Sequence, residues 1–237
     1  IGYGTHVVHN NTATFYSRNN AFSMMGFDTF TSKECMNISQ YTPNGNWPTD
    51  DVLVQETVKA MNATENQSDF VYTITVEGHG DYPTEKLLEN PDILVSGAAD
   101  EASNNQWEYY VNMIHEVDDF IGDLITAVDR RGEDTIIVFF GDHLPTMGLT
   151  DADMKSGDIF KTKYITWNNM GLAKKDADLT AYQLLAHITD QAGIHEGTMF
   201  RYHQTQTASE TYLSGLEDLQ YDLLYGKRYT YGGEDRY

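Results

Sequence analysis

The sequence predicts an α/β protein with a mostly parallel sheet flanked by helices. The first indication is Ile136–Phe140, an unbroken apolar run rich in β-branched and aromatic side chains, which is typical of a strand buried on both faces of a parallel sheet. The second is residues 70–76, a run of the same character. The third is an apolar stripe at helical spacing between these runs, because parallel strands need a crossover connection, usually a helix.

The elements before the second run follow from periodicity and turn residues. A strand is predicted at residues 3–9, a short helix at 19–25 and a second short strand at 27–30. Residues 35–51 are rich in Pro, Gly, Asn and Asp, which predicts an exposed excursion.

Two helices flank residues 70–76 along the chain. The first is opened by Asp50 and Asp51. The second is the clearest helix of the sequence, with arginines at its carboxyl end and Gly132 as its stop. Its apolar stripe follows i, i+3, i+4 spacing and consists of Trp107, Tyr110, Val111, Ile114, Val117, Ile121, Leu124, Ile125 and Val128.

The C-terminal third is predicted to contain a strand at 164–167, an amphipathic helix at 179–193 and a last helix at 213–225. A Gly- and Tyr-rich tail follows it. Residues 1–200 are predicted to form the main domain. Residues 201–237 are predicted to be a small α+β appendage or a tail of the same domain.

Composition excludes several classes of protein. With 237 residues, 40% hydrophobic and 12% aromatic, the chain can bury a sizeable core. Its net charge of −21 argues against nucleic-acid binding and against direct docking on anionic lipid. Cys35 is the single cysteine, so no internal disulfide can form. No apolar run reaches the roughly 18–20 residues of a membrane span, and any targeting segment is expected outside this chain.

A candidate metal site follows the strand Ile136–Phe140. Asp142 and His143 come just after its carboxyl end, the edge of an open α/β sheet where ligands usually bind. A carboxylate next to an imidazole at that edge suits a divalent metal. In the alternative interpretation, Asp142 caps a turn and His143 packs locally.

Two further segments carry candidate ligand-binding side chains. His79 follows residues 70–76 between two glycines, and strands that end at one edge can bring His79 and His143 into one cleft. The end of the first strand and the loop after it contain His9, Tyr16 and Arg18. Arg18 can bind a phosphate or carboxylate through two parallel hydrogen bonds. The alternative for this loop is an ordinary surface loop with an exposed arginine.

Five motifs in this order resemble the extracellular catalytic domain of lipoteichoic acid synthases. They are His9 followed by Thr14-Phe15-Tyr16-Ser17-Arg18, then Gly26-Phe27-Asp28-Thr29-Phe30, His79 before Tyr82-Pro83, Tyr110 with Asp118 and Ile121-Gly122, and residues 134–143 ending in Gly141-Asp142-His143. These synthases are phosphoglycerol transferases of the alkaline phosphatase and sulfatase superfamily. The resemblance covers residues 1 to about 195, and it implies an alkaline phosphatase/sulfatase-like fold.

The resemblance also implies roles for individual residues. Asp142 and His143 match metal ligands, for manganese in the first place and for magnesium or zinc as alternatives. His79 matches the catalytic histidine that contacts the phosphoglycerol group. The substrate-binding positions are His9, Asn11, Tyr16, Arg18 and His79, although the family often has Asp in place of Asn11 and Trp in place of Tyr16.

The implied activity is transfer of phosphoglycerol from phosphatidylglycerol to a glycolipid or a growing polyglycerolphosphate chain. The implied location is the extracellular face of a bacterial membrane, with the membrane anchor outside this chain. The family's nucleophilic Thr and a metal-binding Glu lie before the segment that matches His9, so residues 1–237 are expected to be a partial catalytic domain, inactive by itself.

Two other classes stay open. One is a related metallohydrolase, namely a sulfatase, a phosphodiesterase or a phosphoethanolamine transferase. Sulfatases carry Cys or Ser in a C/S-x-P-x-R motif, whereas Cys35 is followed by Met36 and Asn37. The other is a degenerate, non-catalytic domain that binds glycans or partners.

Overall fold

The computed structural model describes residues 2–233, apart from the side chain of Tyr231. The chain divides into two compact units, Gly2–Asn169 and Met170–Tyr237. Within the described residues, all strands belong to the first unit. None of the helices in residues 2–233 is both long enough and apolar enough to cross a lipid bilayer.

A three-stranded parallel sheet lies at the centre of the first unit. Its strands are β1 (Gly4–His9), β2 (Thr29–Ser32) and β3 (Asp69–Ile74), in the order β2-β1-β3. His9 pairs with Ser32 on one side and with Ile74 on the other, so all three strands end at one edge. Val7 and Val8 of the central strand are fully buried, as expected for a strand covered on both faces. The predicted α/β fold with a parallel sheet flanked by helices is confirmed.

The helices of the first unit are α1 (Arg18–Met24), α2 (Val52–Met61) and α3 (Glu101–Asp129). The apolar core consists of buried side chains from β1, α2 and α3: Val8, Val52, Leu53, Ala60, Phe120, Leu124 and Val128. Burying a side chain such as Leu53 stabilises the fold by roughly 1.5–3 kcal/mol. The core therefore anchors β1, and with it the position of His9 at the end of that strand.

Helix α3 begins before the predicted apolar stripe and buries a set of residues that only partly overlaps it. Asp100 caps the helix by accepting a hydrogen bond from Ser103 N (2.8 Å), so the helix begins at Glu101, whereas the predicted stripe begins at Trp107. Leu124 and Val128 of the predicted stripe are buried. Tyr109, Met113 and Phe120 are buried although they lie outside the predicted stripe. The reason is that an apolar residue on either side of a stripe can face the core, and only the packing partners decide which one does.

Strand β4 (Ile136–Phe140) has the predicted bounds but not the predicted surroundings. It pairs antiparallel with β5 (Tyr164–Asn168) in a separate two-stranded sheet. Ile137 and Phe139, which point to the same face, pack against the core, while Phe140 is 47% exposed. The prediction that this strand is buried on both faces of a parallel sheet is wrong, because only one face meets the core.

The second unit contains α4 (Ala181–Gln191), α5 (Thr198–Gln206) and α6 (Tyr212–Leu224). The rings of Tyr202 and Tyr212 stack at 5.8 Å between centroids, which packs α5 against α6. Thr230 donates its N–H and its hydroxyl to the Asp222 carboxylate and so ties the following turn to α6.

The predicted α+β character of the C-terminal appendage is wrong, since residues 201–233 contain helices and turns but no strand. The aromatic residues here are used for helix packing and for one turn at Tyr229–Tyr231. Residues 234–237 of the predicted tail lie outside the described residues. The predicted boundary between residues 200 and 201 falls inside α5, and the division into a catalytic domain and an appendage stays a prediction.

Candidate functional site

The predicted site residues lie in three segments that follow strand ends in the first unit. His9 is the last residue of β1, with Asn11, Tyr16 and Arg18 in the loop after it. His79 follows the end of β3, and Asp142 and His143 follow β4.

His9 is held as a neutral imidazole with one nitrogen left unpaired. It is 1% exposed, and its Nδ1 donates to the Ile74 carbonyl oxygen at 2.8 Å. Burial lowers the pKa of His9 to about 4, and the nearby charges of Arg18 and His79 lower it further, while the bond to Ile74 opposes them. Since Nδ1 carries the proton, Nε2 presents a lone pair; this atom is buried and has no hydrogen-bond partner within residues 2–233. The atom is ready to accept a hydrogen bond from a ligand hydroxyl.

Arg18 is the cation of the loop after β1. Its guanidinium carbon lies 5.2 Å from the Phe15 ring centroid and 5.6 Å from that of Tyr16. Tyr16 and Ser17 adopt left-handed backbone conformations, with φ of 53° and 54°. Two successive non-glycine residues in this region are unusual, and such strain clusters at ligand-binding loops.

The loop after β1 is poor in acidic residues compared with the rest of the chain. Residues 1–27 contain no Asp or Glu, although the chain has 36 acidic residues in total. Arg18 therefore has no carboxylate close by in sequence, while the Glu34 carboxylate accepts the N–H of Ala13 in the same loop at 3.2 Å. Arg18 is thus the group of this loop that can attract a phosphate.

His79 is fixed by aromatic and backbone contacts from other elements. Trp47 lies edge-on to the imidazole at 5.2 Å between centroids, and its indole N–H donates to the Gly80 carbonyl oxygen at 2.9 Å. Gly78 packs under α3: a side chain there would come within 2.9 Å of Ile114 Cδ1. Glycine at position 78 thus lets the loop with His79 lie against the helix.

Asp142 and His143 form a pair of potential metal ligands. His143 Nε2 lies 3.8 Å from Asp142 Oδ1, a separation that one ion could bridge at about 2.0–2.2 Å from each. His143 Nδ1 donates to the Leu144 carbonyl oxygen at 2.8 Å, which leaves Nε2 unprotonated for coordination. Both side chains are largely exposed.

The donors therefore fit a divalent metal as part of a coordination shell. The first unit does not complete that shell from its own side chains, since residues 2–233 contain no group of three or more His, Cys, Asp or Glu arranged to bind a metal.

The structure brings most of these residues to one region. The imidazole rings of His79 and His143 lie 6.0 Å apart, and Arg18 and His79 are both close enough to His9 to influence its pKa. The Asp142 charge also contributes to the raised pKa of Tyr72 on β3, after burial. For Asn11, the described contacts are local: its side chain accepts the N–H of Thr12 at 2.7 Å.

Trp47 and Asp50 belong to this region but are absent from the sequence-based set. Both lie in residues 35–51, which were predicted to be an exposed excursion, yet Asp50 is fully buried and Trp47 is half-buried. A Pro- and Asn-rich composition suggests exposure. The one signal against it is the tryptophan itself, an apolar residue that is rarely left in solvent.

Comparison with known proteins places this arrangement in a family. The family model described as Sulfatase matches residues 1–211. Among solved structures, the Streptococcus pyogenes phosphoglycerol transferase GacH, in complex with sn-glycerol-1-phosphate, is similar with a TM-score of 0.79 and 18% identity, over 98% of this chain and 64% of that chain. The lipoteichoic acid synthase LtaP from Listeria monocytogenes is similar with a TM-score of 0.52 and 21% identity, over 70% of this chain and 43% of that chain.

A curated relative extends the similarity to a protein with a different name. The "Putative cyclic beta-1,2-glucan modification protein" of Rhizobium meliloti (strain 1021) is 25% identical over 271 aligned positions, which cover 97% of this chain and 42% of that protein. The chain thus spans less than two thirds of each of these three relatives. The family match extends over most of the chain, and the parallel sheet with helices on its faces agrees with it: the chain belongs to the sulfatase family.

Proposed function

We propose that this protein transfers phosphoglycerol from phosphatidylglycerol to a glycolipid or a growing polyglycerolphosphate chain, as in lipoteichoic acid synthesis. The observation that carries the proposal is the grouping of His9, Arg18 and His79 beside the Asp142–His143 pair. A phosphodiester needs a cation for its anionic oxygens and a proton donor for its leaving group, and this grouping offers both.

Each side chain suits one part of a phosphoglycerol group. The Arg18 guanidinium would bind the phosphate through two parallel N–H···O bonds. The free Nε2 of His9 would accept a hydrogen bond from a glycerol hydroxyl, because its lone pair is buried and unpaired in the described residues. Tyr16, which is 81% exposed, would cover the bound head group from the solvent side.

In the reaction, a hydroxyl nucleophile attacks phosphorus as the bond to the diacylglycerol oxygen breaks. The departing alkoxide needs a proton, and His79 would supply it as a general acid. His79 suits this role because Trp47 and the backbone around Gly78 fix its position.

Asp142 and His143 would hold a divalent metal, manganese being our first expectation and magnesium or zinc the alternatives. Such an ion would supply positive charge against a phosphoryl oxygen and lower the pKa of a coordinated hydroxyl. The fixed tautomer of His143 supports this assignment, since the bond from Nδ1 to Leu144 directs Nε2 outward.

Location and partners belong to the same proposal. We expect the protein to work at the extracellular face of a bacterial membrane, where phosphatidylglycerol is available, and to be anchored there by a segment outside this chain. Nucleic acid is not an expected partner, because the net charge is −21.

The acceptor has a second candidate. The Rhizobium meliloti relative is named for cyclic beta-1,2-glucan modification and is similar along 97% of this chain. A soluble glucan is therefore the alternative acceptor to a glycolipid, with the same phosphoglycerol donor.

Binding of sn-glycerol-1-phosphate, measured by calorimetry with and without manganese, tests the head-group site. We expect binding that is about 10- to 100-fold weaker in Arg18→Met and unchanged in Arg130→Met, since Arg130 lies at the carboxyl end of α3. Release of diacylglycerol from phosphatidylglycerol vesicles by the full-length protein, with manganese and either a glycolipid or a cyclic glucan present, tests the reaction and its acceptor. Tighter binding of phosphoethanolamine or of a sulfate ester than of sn-glycerol-1-phosphate would contradict the proposal and favour a related metallohydrolase.

A further inference from the structure

We propose that Asp50 is a positioning residue that holds the loops carrying His9 and His79 in a single relative geometry. Its importance for turnover rests on the function proposed above. The network that performs this task, here called the Asp50 brace, consists of Asn10, Asp50, Val76 and Glu77.

The brace joins the ends of two strands through one buried carboxylate. Asp50 is fully buried. Its Oδ1 accepts hydrogen bonds from Asn10 Nδ2 at 2.7 Å and from Val76 N at 2.9 Å, and its Oδ2 accepts one from Glu77 N at 3.1 Å. Asn10 directly follows His9, while Val76 and Glu77 precede His79 by two to three residues.

The register of the sheet explains why one side chain can reach both loops. His9 of β1 pairs with Ile74 of β3, so the chain leaves the two strands side by side. Asp50 lies just before α2, and the Leu53 N–H donates to its carbonyl oxygen at 2.9 Å. The core side chain of Leu53 thereby anchors the brace to the rest of the unit.

The loop with His79 makes a third hydrogen bond with Asp50. The Asp50 N–H donates to Glu77 Oε2 at 2.8 Å, so the contact between Asp50 and Glu77 is reciprocal. The Val76 carbonyl oxygen in turn accepts the N–H of His79 at 3.0 Å. The backbone of His79 is therefore one hydrogen bond away from the brace.

Two buried carboxylates side by side are a poor choice for stability alone. Burial raises the pKa of Asp50 to about 6 and that of Glu77 to about 7, against the hydrogen bonds they accept. The charges of Asp50, Glu116 and Asp51 raise the Glu77 pKa further. An apolar residue of similar volume at position 50 would remove this like-charge contact, but it would leave the N–H groups of Val76 and Glu77 without their acceptor. An apolar side chain also cannot accept the three hydrogen bonds by which the Asp50 carboxylate fixes two loops at once.

The test is Asp50→Asn, which keeps the shape of the side chain. One of the two acceptor oxygens becomes an NH₂ group, which is a donor and cannot accept a hydrogen bond from the facing N–H. Thr57→Val is the matched control: Thr57 is also buried, but its side-chain hydrogen bond goes to Thr73 within β3, at 2.9 Å, and not to either loop. We expect the NMR signals of the His9 and His79 imidazoles to shift in Asp50→Asn and to stay in place in Thr57→Val. In the full-length protein, turnover should fall about 100-fold for a displacement of about 1 Å. The affinity for sn-glycerol-1-phosphate should change less than about tenfold, because the contacts of Arg18 lie outside the brace.

Unchanged imidazole signals in Asp50→Asn, or equal shifts in Thr57→Val, would overturn the inference. If Asp50→Asn does not fold, Asn10→Ala replaces it: the His9 signal should shift and the His79 signal should not, and an unchanged His9 signal rejects the brace. Failure of the wild-type protein to bind sn-glycerol-1-phosphate would reject the proposed function, while the imidazole signals still decide on the brace.

Discussion

Replacing His9 by Gln is expected to change how the stability of the protein depends on pH. Gln keeps a side chain that can donate to the Ile74 carbonyl oxygen but does not titrate. The comparison between the two proteins therefore isolates the protonation of one buried imidazole, which is 1% exposed in the wild type.

The magnitude follows from the pKa of His9, which burial lowers from 6.5 to about 4. Between these values the unfolded chain carries a proton on His9 and the folded chain does not, so the free energy of unfolding rises with pH across this window. At 1.36 kcal/mol per pKa unit, the wild type should lose about 3 kcal/mol more stability than His9→Gln between pH 7 and pH 4.

The raised pKa values of Asp50 and Glu77 act in the opposite direction. Each carboxyl group stabilises the fold at low pH, and this stabilisation is lost as the pH rises through about 6 for Asp50 and about 7 for Glu77. Both proteins contain Asp50 and Glu77, so this contribution cancels in the difference.

Urea denaturation followed by circular dichroism at pH 7, 5.5 and 4 gives the required free energies. Val7→Ala is the control, since Val7 is fully buried on the same strand and does not titrate. The free energy of unfolding of Val7→Ala should lie below that of the wild type by the same amount at every pH. A difference between wild type and His9→Gln that stays constant from pH 7 to pH 4 would refute the reasoning, because it would mean that folding does not perturb the His9 pKa.

Four further substitutions test the candidate site and its support. Asp142→Ala and His143→Ala should each weaken manganese binding at least about tenfold in calorimetry, and parent-like affinity in both would remove this pair as a metal site. Arg18→Met should weaken sn-glycerol-1-phosphate binding by about 10- to 100-fold, as expected for loss of a charge-assisted pair, and an unchanged dissociation constant would place the phosphate elsewhere. Gly78→Ala should cost about 1 kcal/mol, the low end for overpacking, because the new methyl clashes only with Ile114 Cδ1, the end of a side chain that is 41% exposed. Ile114→Val in the same chain should recover part of that loss in thermal melts; no recovery would point to backbone conformation instead.

The parts of the fold that local sequence determines were predicted well. The strand Ile136–Phe140 has the predicted bounds because β-branched and aromatic residues favour extended structure and Gly141 ends it. The predicted proximity of His79 and His143 is found, although the reason given for it, two strands that end at one edge of a sheet, does not hold, because β4 belongs to a separate two-stranded sheet. Their chemical roles stay predictions.

The parts that depend on distant partners were not predictable from the sequence. The antiparallel pairing of β4 with β5 requires knowing which strand returns beside it, and an unbroken apolar run, although typical of a buried parallel strand, does not exclude an antiparallel partner. Helix α5 was missed because its residues are polar and its packing relies on Tyr202 and His203 meeting Tyr212 of α6. Asp50 was assigned to a helix start by residue type, and only the fold reveals that its carboxylate is buried among three N–H donors.

The left-handed backbone conformations of Tyr16 and Ser17 have a consequence for substitutions in this loop. Such conformations cost roughly 1–3 kcal/mol each for a residue other than glycine, and surrounding bonds maintain them, among them Ser17 N to the Thr14 carbonyl oxygen and Asn19 N to that of Ala13. Glycine at either position would relieve this cost and would also let the backbone sample many more shapes. The next residue, Arg18, would then have to be ordered anew each time a phosphate arrives, and affinity would fall although no contact had been removed. At these two positions glycine would therefore favour the stability of the fold, whereas Tyr16 and Ser17 favour affinity for the ligand.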